Sequence, residues 1–187
     1  MIEEIKKAVE VLRQGGIILY PTDTIWGLGC DATNETAVRK IYSIKKREDS
    51  KSMLVLLDSS GKLQNYVDEI PDMAWDLIEY AGKPLTIIYP QAKNLAPNLV
   101  AQDNSIGIRI TNEAFSKKLC EVFKNPIVST SANVSKQPSP ATFADISEEI
   151  ISQVDYVVNF RQNDSQPAKP SSIIKLGKGN LIQIIRE

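Results

Sequence analysis

A chain of 187 residues that is 42% hydrophobic has apolar material for one continuous core and is short for two, so a single domain over residues 1–187 is expected. A net charge of −1 argues against a protein that coats nucleic acid through its overall field, and the absence of histidine removes the Ser-His-Asp relay, the usual general base and every His-containing metal site. Cys30 and Cys120 lack the spacing of a disulfide framework or zinc knuckle, and the acidic, amphipathic N-terminal stretch is neither a signal peptide nor a membrane span; a cytoplasmic protein without membrane contact is expected.

Ile2, Ile5, Ala8, Val9 and Leu12 recur at helical spacing, and Gly15-Gly16 ends that helix before a buried strand at residues 17–20. Asn34 is placed to cap a helix whose apolar face is Ala37, Val38, Ile41 and Tyr42, followed by a basic loop over residues 45–51. A strand at 53–57 precedes a helix with Pro71 as its first residue, carrying Trp75, Leu77 and Ile78. Strands are expected at 85–89 and 105–110, a helix at 113–124 with Phe115, Leu119, Val122 and Phe123 inward, and a strand at 127–130. Thr142 or Asp145 starts a helix reaching Ile151, and strands follow at 155–160, 172–176 and 181–185. Helices alternate with strands early and strands cluster late, which implies an α/β domain with one twisted, mixed sheet and helices packed on it.

Gly27-Leu28-Gly29-Cys30-Asp31-Ala32 fits the dinucleotide pattern G-x-G-x-x-G/A, with Asp49 further on. A true fingerprint has its glycines directly after the first strand, whereas Pro21 to Trp26 intervene here and Asp49 sits in a basic loop. The glycines are better read as letting strand and helix approach closely, and no redox cofactor is expected.

Lys45, Lys46, Arg47 and Lys51 crowd one loop, where cations suit the helix dipole or, at alternating positions, point at one anion. Ser129-Thr130-Ser131-Ala132-Asn133 gathers short hydroxyls and an amide at a strand's end, where open α/β sheets bind ligands and where such a turn also serves as a cap. Arg109 interrupts an apolar strand and needs an anionic partner if buried; Arg186 is a weaker case of the same kind.

Taken in order, Tyr20-Pro21-Thr22-Asp23-Thr24-Ile25-Trp26-Gly27-Leu28-Gly29, Lys45-x-Arg47, Lys83-Pro84-Leu85-Thr86, Gly107-Ile108-Arg109-Ile110 and Ser129-Thr130-Ser131-Ala132-Asn133 resemble the YrdC/TsaC family over nearly the whole chain. The resemblance implies a concave basic cavity and a threonylcarbamoyl-AMP synthase: a nucleotidyltransferase that joins L-threonine, bicarbonate and ATP, releases diphosphate, and serves tRNA modification. It implies catalytic roles for Lys45 and Arg47, ATP contacts at Arg47, Lys51, Arg109, Ser131, Asn133, Ser139 and Arg186, and threonine contacts at Thr22, Thr24, Ser129 and Ser172. Mg2+ is expected to arrive with ATP without a dedicated protein ligand, and threonylcarbamoyl-transferase proteins are expected to take the product; direct tRNA contact stays open.

The chain departs from the family pattern at Asp23, where Glu is common, at Glu48, where proline is common, and at Ala81-Gly82-Lys83-Pro84, which lacks one proline. Without a long C-terminal extension it is expected among the short forms. Two alternatives stand beside this reading: an RNA-binding module that uses the same basic surface, and a YciO-like paralogue, against which the Ser129 to Asn133 run argues.

Overall fold

The computed structural model describes residues 1–47, 53–177 and 181–187. Its strands are β1 (Ile18–Tyr20), β2 (Gly27–Gly29), β3 (Leu54–Leu57), β4 (Leu85–Tyr89), β5 (Ile106–Ile110), β6 (Ile127–Ser131), β7 (Tyr156–Val157), β8 (Ser172–Leu176) and β9 (Ile182–Arg186). They form one mixed sheet in the order β7-β1-β2-β6-β3-β5-β4-β8-β9. Three pairings are parallel, β7 with β1, β3 with β5 and β4 with β8; the other five are antiparallel.

The helices are α1 (Ile2–Arg13), α2 (Glu35–Ile44), α3 (Asp72–Glu79), α4 (Ala114–Phe123) and the short α5 (Glu148–Ile151). In α1 the positions Ile5, Ala8, Val9 and Leu12 are buried, as their spacing requires. Asn34 caps α2, its side-chain oxygen accepting from the Ala37 amide at 3.1 Å. Glu113 caps α4 by accepting from the Phe115 and Ser116 amides at 3.1 and 2.7 Å.

Successive strand residues face opposite sides of the sheet, and each side has its own core. On one side Leu19, Leu28, Val55, Val128, Ile87 and Ile108 pack with α2 and with Ala74 of α3. On the other, Ile18, Tyr20, Leu56 and Ile127 pack with α1 and α4. This second core ends short of β4, β5 and β8, so on that side Thr86, Ile88, Gly107, Arg109 and Ile173 border an open cleft.

Three expectations are corrected. Pro71 is the N-cap of α3, not its first helical residue, and Trp75 is partly exposed while Ala74 makes the buried contact. The stretch 142–151 is two pieces: a 3-10 turn at Phe143–Asp145, closed by a capping box between Thr142 and Asp145, then α5, with extended backbone at Ile146 between them. Of the expected 155–160 strand, residues 156 and 157 lie in register with β1 and the Val158 amide still donates to the Leu19 carbonyl at 2.9 Å, after which the chain turns away at Arg161, whose φ is +61°.

Candidate active site

The cleft has a volume of about 220 Å³, and its floor is the sheet itself. Glycines keep that floor low: a Cβ on Gly27 would stand 3.3 Å from the Thr130 carbonyl, and one on Gly107 3.3 Å from the Thr86 methyl. The charged residues among its described lining are three arginines, Arg47, Arg109 and Arg186, brought together from the end of α2, from β5 and from β9. The hydroxyl-bearing residues Thr24, Thr86, Ser129, Thr130, Ser131, Ser139 and Ser171 complete the polar lining. The arrangement suits an anion held by guanidinium forks and neutral hydroxyl donors. It contains no described carboxylate.

Arg109 is 3% exposed, and its Nη2 lies 2.9 Å from Asp23 Oδ1. The two meet as charges without hydrogen-bond alignment, since Asp23 Oδ1 and Arg109 Nε are both buried without a hydrogen-bond partner. Burial pushes the Asp23 carboxyl above its ordinary pKa, and the Arg109 charge opposes that rise. Arg186 is steered into the cleft by its Nε, which donates to the Ser171 carbonyl at 2.8 Å. Burial and the neighbouring Arg109 both lower its pKa. Thr86, the cross-strand neighbour of Arg109, shares a buried hydroxyl hydrogen bond of 2.8 Å with Ser171.

Lys45 is placed differently from its expected role. Its side chain is buried behind the lining, and Nζ donates to the Ser131 and Asn133 carbonyls. Burial, then the charge of Arg47, lowers its pKa to about 7. Asn133 is turned toward its own loop, its Nδ2 donating to the Gln137 carbonyl at 2.6 Å. Lys45 and Asn133 therefore form a bracket that holds the Ser131 strand end, and neither lines the cleft. Lys46 turns away altogether, pairing with Glu149 at 2.6 Å. Of the described cations of the basic loop, Arg47 reaches the cleft and Lys45 and Lys46 do not. Lys51, Asp49 and Glu48 lie outside the described residues.

Thr22 is buried and shapes its loop: its Oγ1 donates to the Ile25 carbonyl at 2.8 Å and accepts from the Thr24 amide at 3.1 Å. Thr24 lines the cleft and Thr22 does not. Ser172 pairs in register with Leu85, which faces the opposite side of the sheet; Ser171, one residue earlier, takes the cleft position. Ser129 and Ser131, in the last three residues of β6, line the cleft, as their place at the strand's end led one to expect. Sequence reasoning missed Ser171 and Thr86, although Thr86 is a polar residue in an otherwise apolar strand, the same signal that marked Arg109.

The family model named for Sua5, YciO and YrdC, described as "Telomere recombination", matches residues 10–187. A threonylcarbamoyl-AMP synthase of Pseudoalteromonas translucida is 38% identical over 158 residues, covering 83% of this chain and 84% of the relative. A putative threonylcarbamoyl-AMP synthase of Methanocaldococcus jannaschii is 37% identical over 187 residues, covering 97% and 86%. Among solved structures, P. abyssi Sua5 complexed with L-threonine superposes with a TM-score of 0.81 at 26% identity, covering 92% of this chain and 50% of that one. E. coli YciO superposes with a TM-score of 0.87 at 24% identity, covering 100% and 90%, a likeness of fold. The chain thus spans about half the length of the Sua5 chain and most of the others.

Proposed function

The chain belongs to the Sua5/YciO/YrdC family, and on that footing we propose that it is a threonylcarbamoyl-AMP synthase. L-Threonine and bicarbonate condense to a carbamate, a carbamate oxygen attacks the α-phosphorus of ATP, and the bond to the departing diphosphate breaks. The product is threonylcarbamoyl-AMP, an activated acyl group for modification of a tRNA adenosine, which threonylcarbamoyl-transferase proteins take up.

The observation that carries this reading is the convergence of Arg47, Arg109 and Arg186 with seven hydroxyl-bearing residues in one cleft. The arginines offset the charge that grows on phosphoryl oxygens, and the hydroxyls donate without adding charge. The carbamate is already a nucleophile, so the reaction needs no histidine. A described lining without carboxylates fits a Mg2+ ion held by phosphates and water, which would neutralise phosphate charge when ATP is bound. We assign Arg47, Ser131 and Ser139 to ATP, and Thr24 and Ser129 to threonine. Lys45 acts through Ser131, as a positioning residue.

Diphosphate release from ATP tests this directly. It should require both threonine and bicarbonate, and release that ignores either one would remove that substrate from the scheme. Salt-sensitive RNA binding with no such release would favour the RNA-binding module instead.

A further inference from the structure

Arg161 does not line the cleft, yet its guanidinium ties together three segments beside it. Its Nε pairs with Asp164 at 2.7 Å, and its Nη1 donates to the Thr22 carbonyl at 3.2 Å and lies 3.4 Å from Glu113 Oε1. Glu113 is itself held in place, because it caps α4 through the Phe115 and Ser116 amides. Arg161 therefore joins the loop that carries Thr24 to the start of α4.

Two observations separate this join from an ordinary surface ion pair. The first is backbone: a φ of +61° suits glycine, and another residue keeps it only where its surroundings impose it. Here they do, since Phe160 stacks on Phe115 with ring centroids 5.4 Å apart and the Asp164 amide donates to the Arg161 carbonyl at 3.2 Å. The second is connection to the cleft. Thr22, gripped by its carbonyl, accepts from the Thr24 amide through its own Oγ1 at 3.1 Å, and Thr24 lines the cleft. Thr24 and Trp26 also form a wall between the cleft and a small cavity that Arg161 and Asp164 line.

We propose that Arg161 is a positioning residue for the threonine end of the cleft, acting through Thr22 on Thr24; this rests on the assignment of Thr24 to threonine. The guanidinium touches no reacting atom. It fixes where the Thr24 hydroxyl stands, and a small displacement of a substrate contact weakens the hold on that substrate. A lysine at this position keeps the charge but lacks the fork that serves Asp164 and the Thr22 carbonyl together.

The test compares Arg161→Gly and Arg161→Lys with the parent chain. Glycine suits the positive φ, so that variant removes the guanidinium without adding backbone strain. In the diphosphate assay, Arg161→Gly should raise KM for L-threonine about tenfold, and Arg161→Lys by less, while kcat and KM for ATP stay within about twofold. In the free protein, Arg161→Gly should speed amide hydrogen exchange at Thr24 by about tenfold, because its acceptor on Thr22 is no longer held.

Three results overturn the assignment: an unchanged KM for threonine in Arg161→Gly, an equal rise in KM for threonine and for ATP, or unchanged exchange at Thr24. The exchange measurement uses no substrate. A parent chain that releases no diphosphate, with Thr24 exchange faster in Arg161→Gly, would refute the adenylation reading and leave the hold of Arg161 on the loop standing.

Discussion

Lys45 is the buried lysine among the described residues, and its environment has a thermodynamic signature. The unfolded chain keeps this proton up to its ordinary pKa of 10.5, whereas burial makes the folded protein release it above about 7. Between those values the unfolded state binds more protons, so the contribution of Lys45 to stability rises with pH and is lost as pH falls toward 7. Urea unfolding from pH 7 to about pH 9 should show this rise, and Lys45→Met should flatten it. The same variant should lose about 1–3 kcal/mol, because the Ser131 and Asn133 carbonyls lose their donor. An unchanged slope in Lys45→Met would show that another group titrates. Arg109 was legible from the sequence because a cation in an apolar strand demands a partner. The inward turn of Lys45 was not, since composition cannot tell a lysine that reaches a ligand from one that spans to a neighbouring strand's carbonyls. Ser171 and Ser172 differ only in which side of the sheet they face, which depends on where β8 begins its alternation.

At the level of elements, helices were readable from 3.6-residue spacing and caps because those signals are local; α1 and the Asn34 cap are examples. The sheet order was not, because β6 is inserted between β2 and β3 by contacts distant in sequence. The final edge pair β8–β9 was placed closely, while the 155–160 strand proved shorter, at Tyr156–Val157, since an apolar run does not reveal where pairing stops. Close packing of β1, β2 and β6 puts a sharp demand on Gly29. A Cβ there would lie 2.6 Å from the Tyr20 ring and 3.1 Å from the Val128 carbonyl, so Gly29→Ala should cost about 1–3 kcal/mol in urea unfolding. Gly82 is the control: a Cβ there meets nothing within 4 Å, and Gly82→Ala should leave the midpoint nearly unchanged. Equal effects of the two substitutions would mean that crowding at β2 does not govern stability.

Across the whole molecule, the cleft is assembled from segments that share no local sequence: the 24–27 loop, the end of α2, β4, β5, β6 and the run from Pro170 to Ile173. ATP and L-threonine together should therefore slow amide hydrogen exchange simultaneously at residues 24–27, 129–131 and 171–173, while the α1–α4 pair, which does not line the cleft, is unaffected. Protection of a single segment would mean that the bound substrates do not bridge them. The sheet ends at β9, where Leu181, Ile182, Ile184 and Ile185 are exposed and Arg186 reaches back into the cleft. Under the proposed function this hem of the sheet is also part of the grip on the nucleotide. An affinity handle or fluorescent fusion appended after Glu187 would tug on that guanidinium, whereas the exposed Met1, ahead of α1, offers an attachment point remote from catalysis.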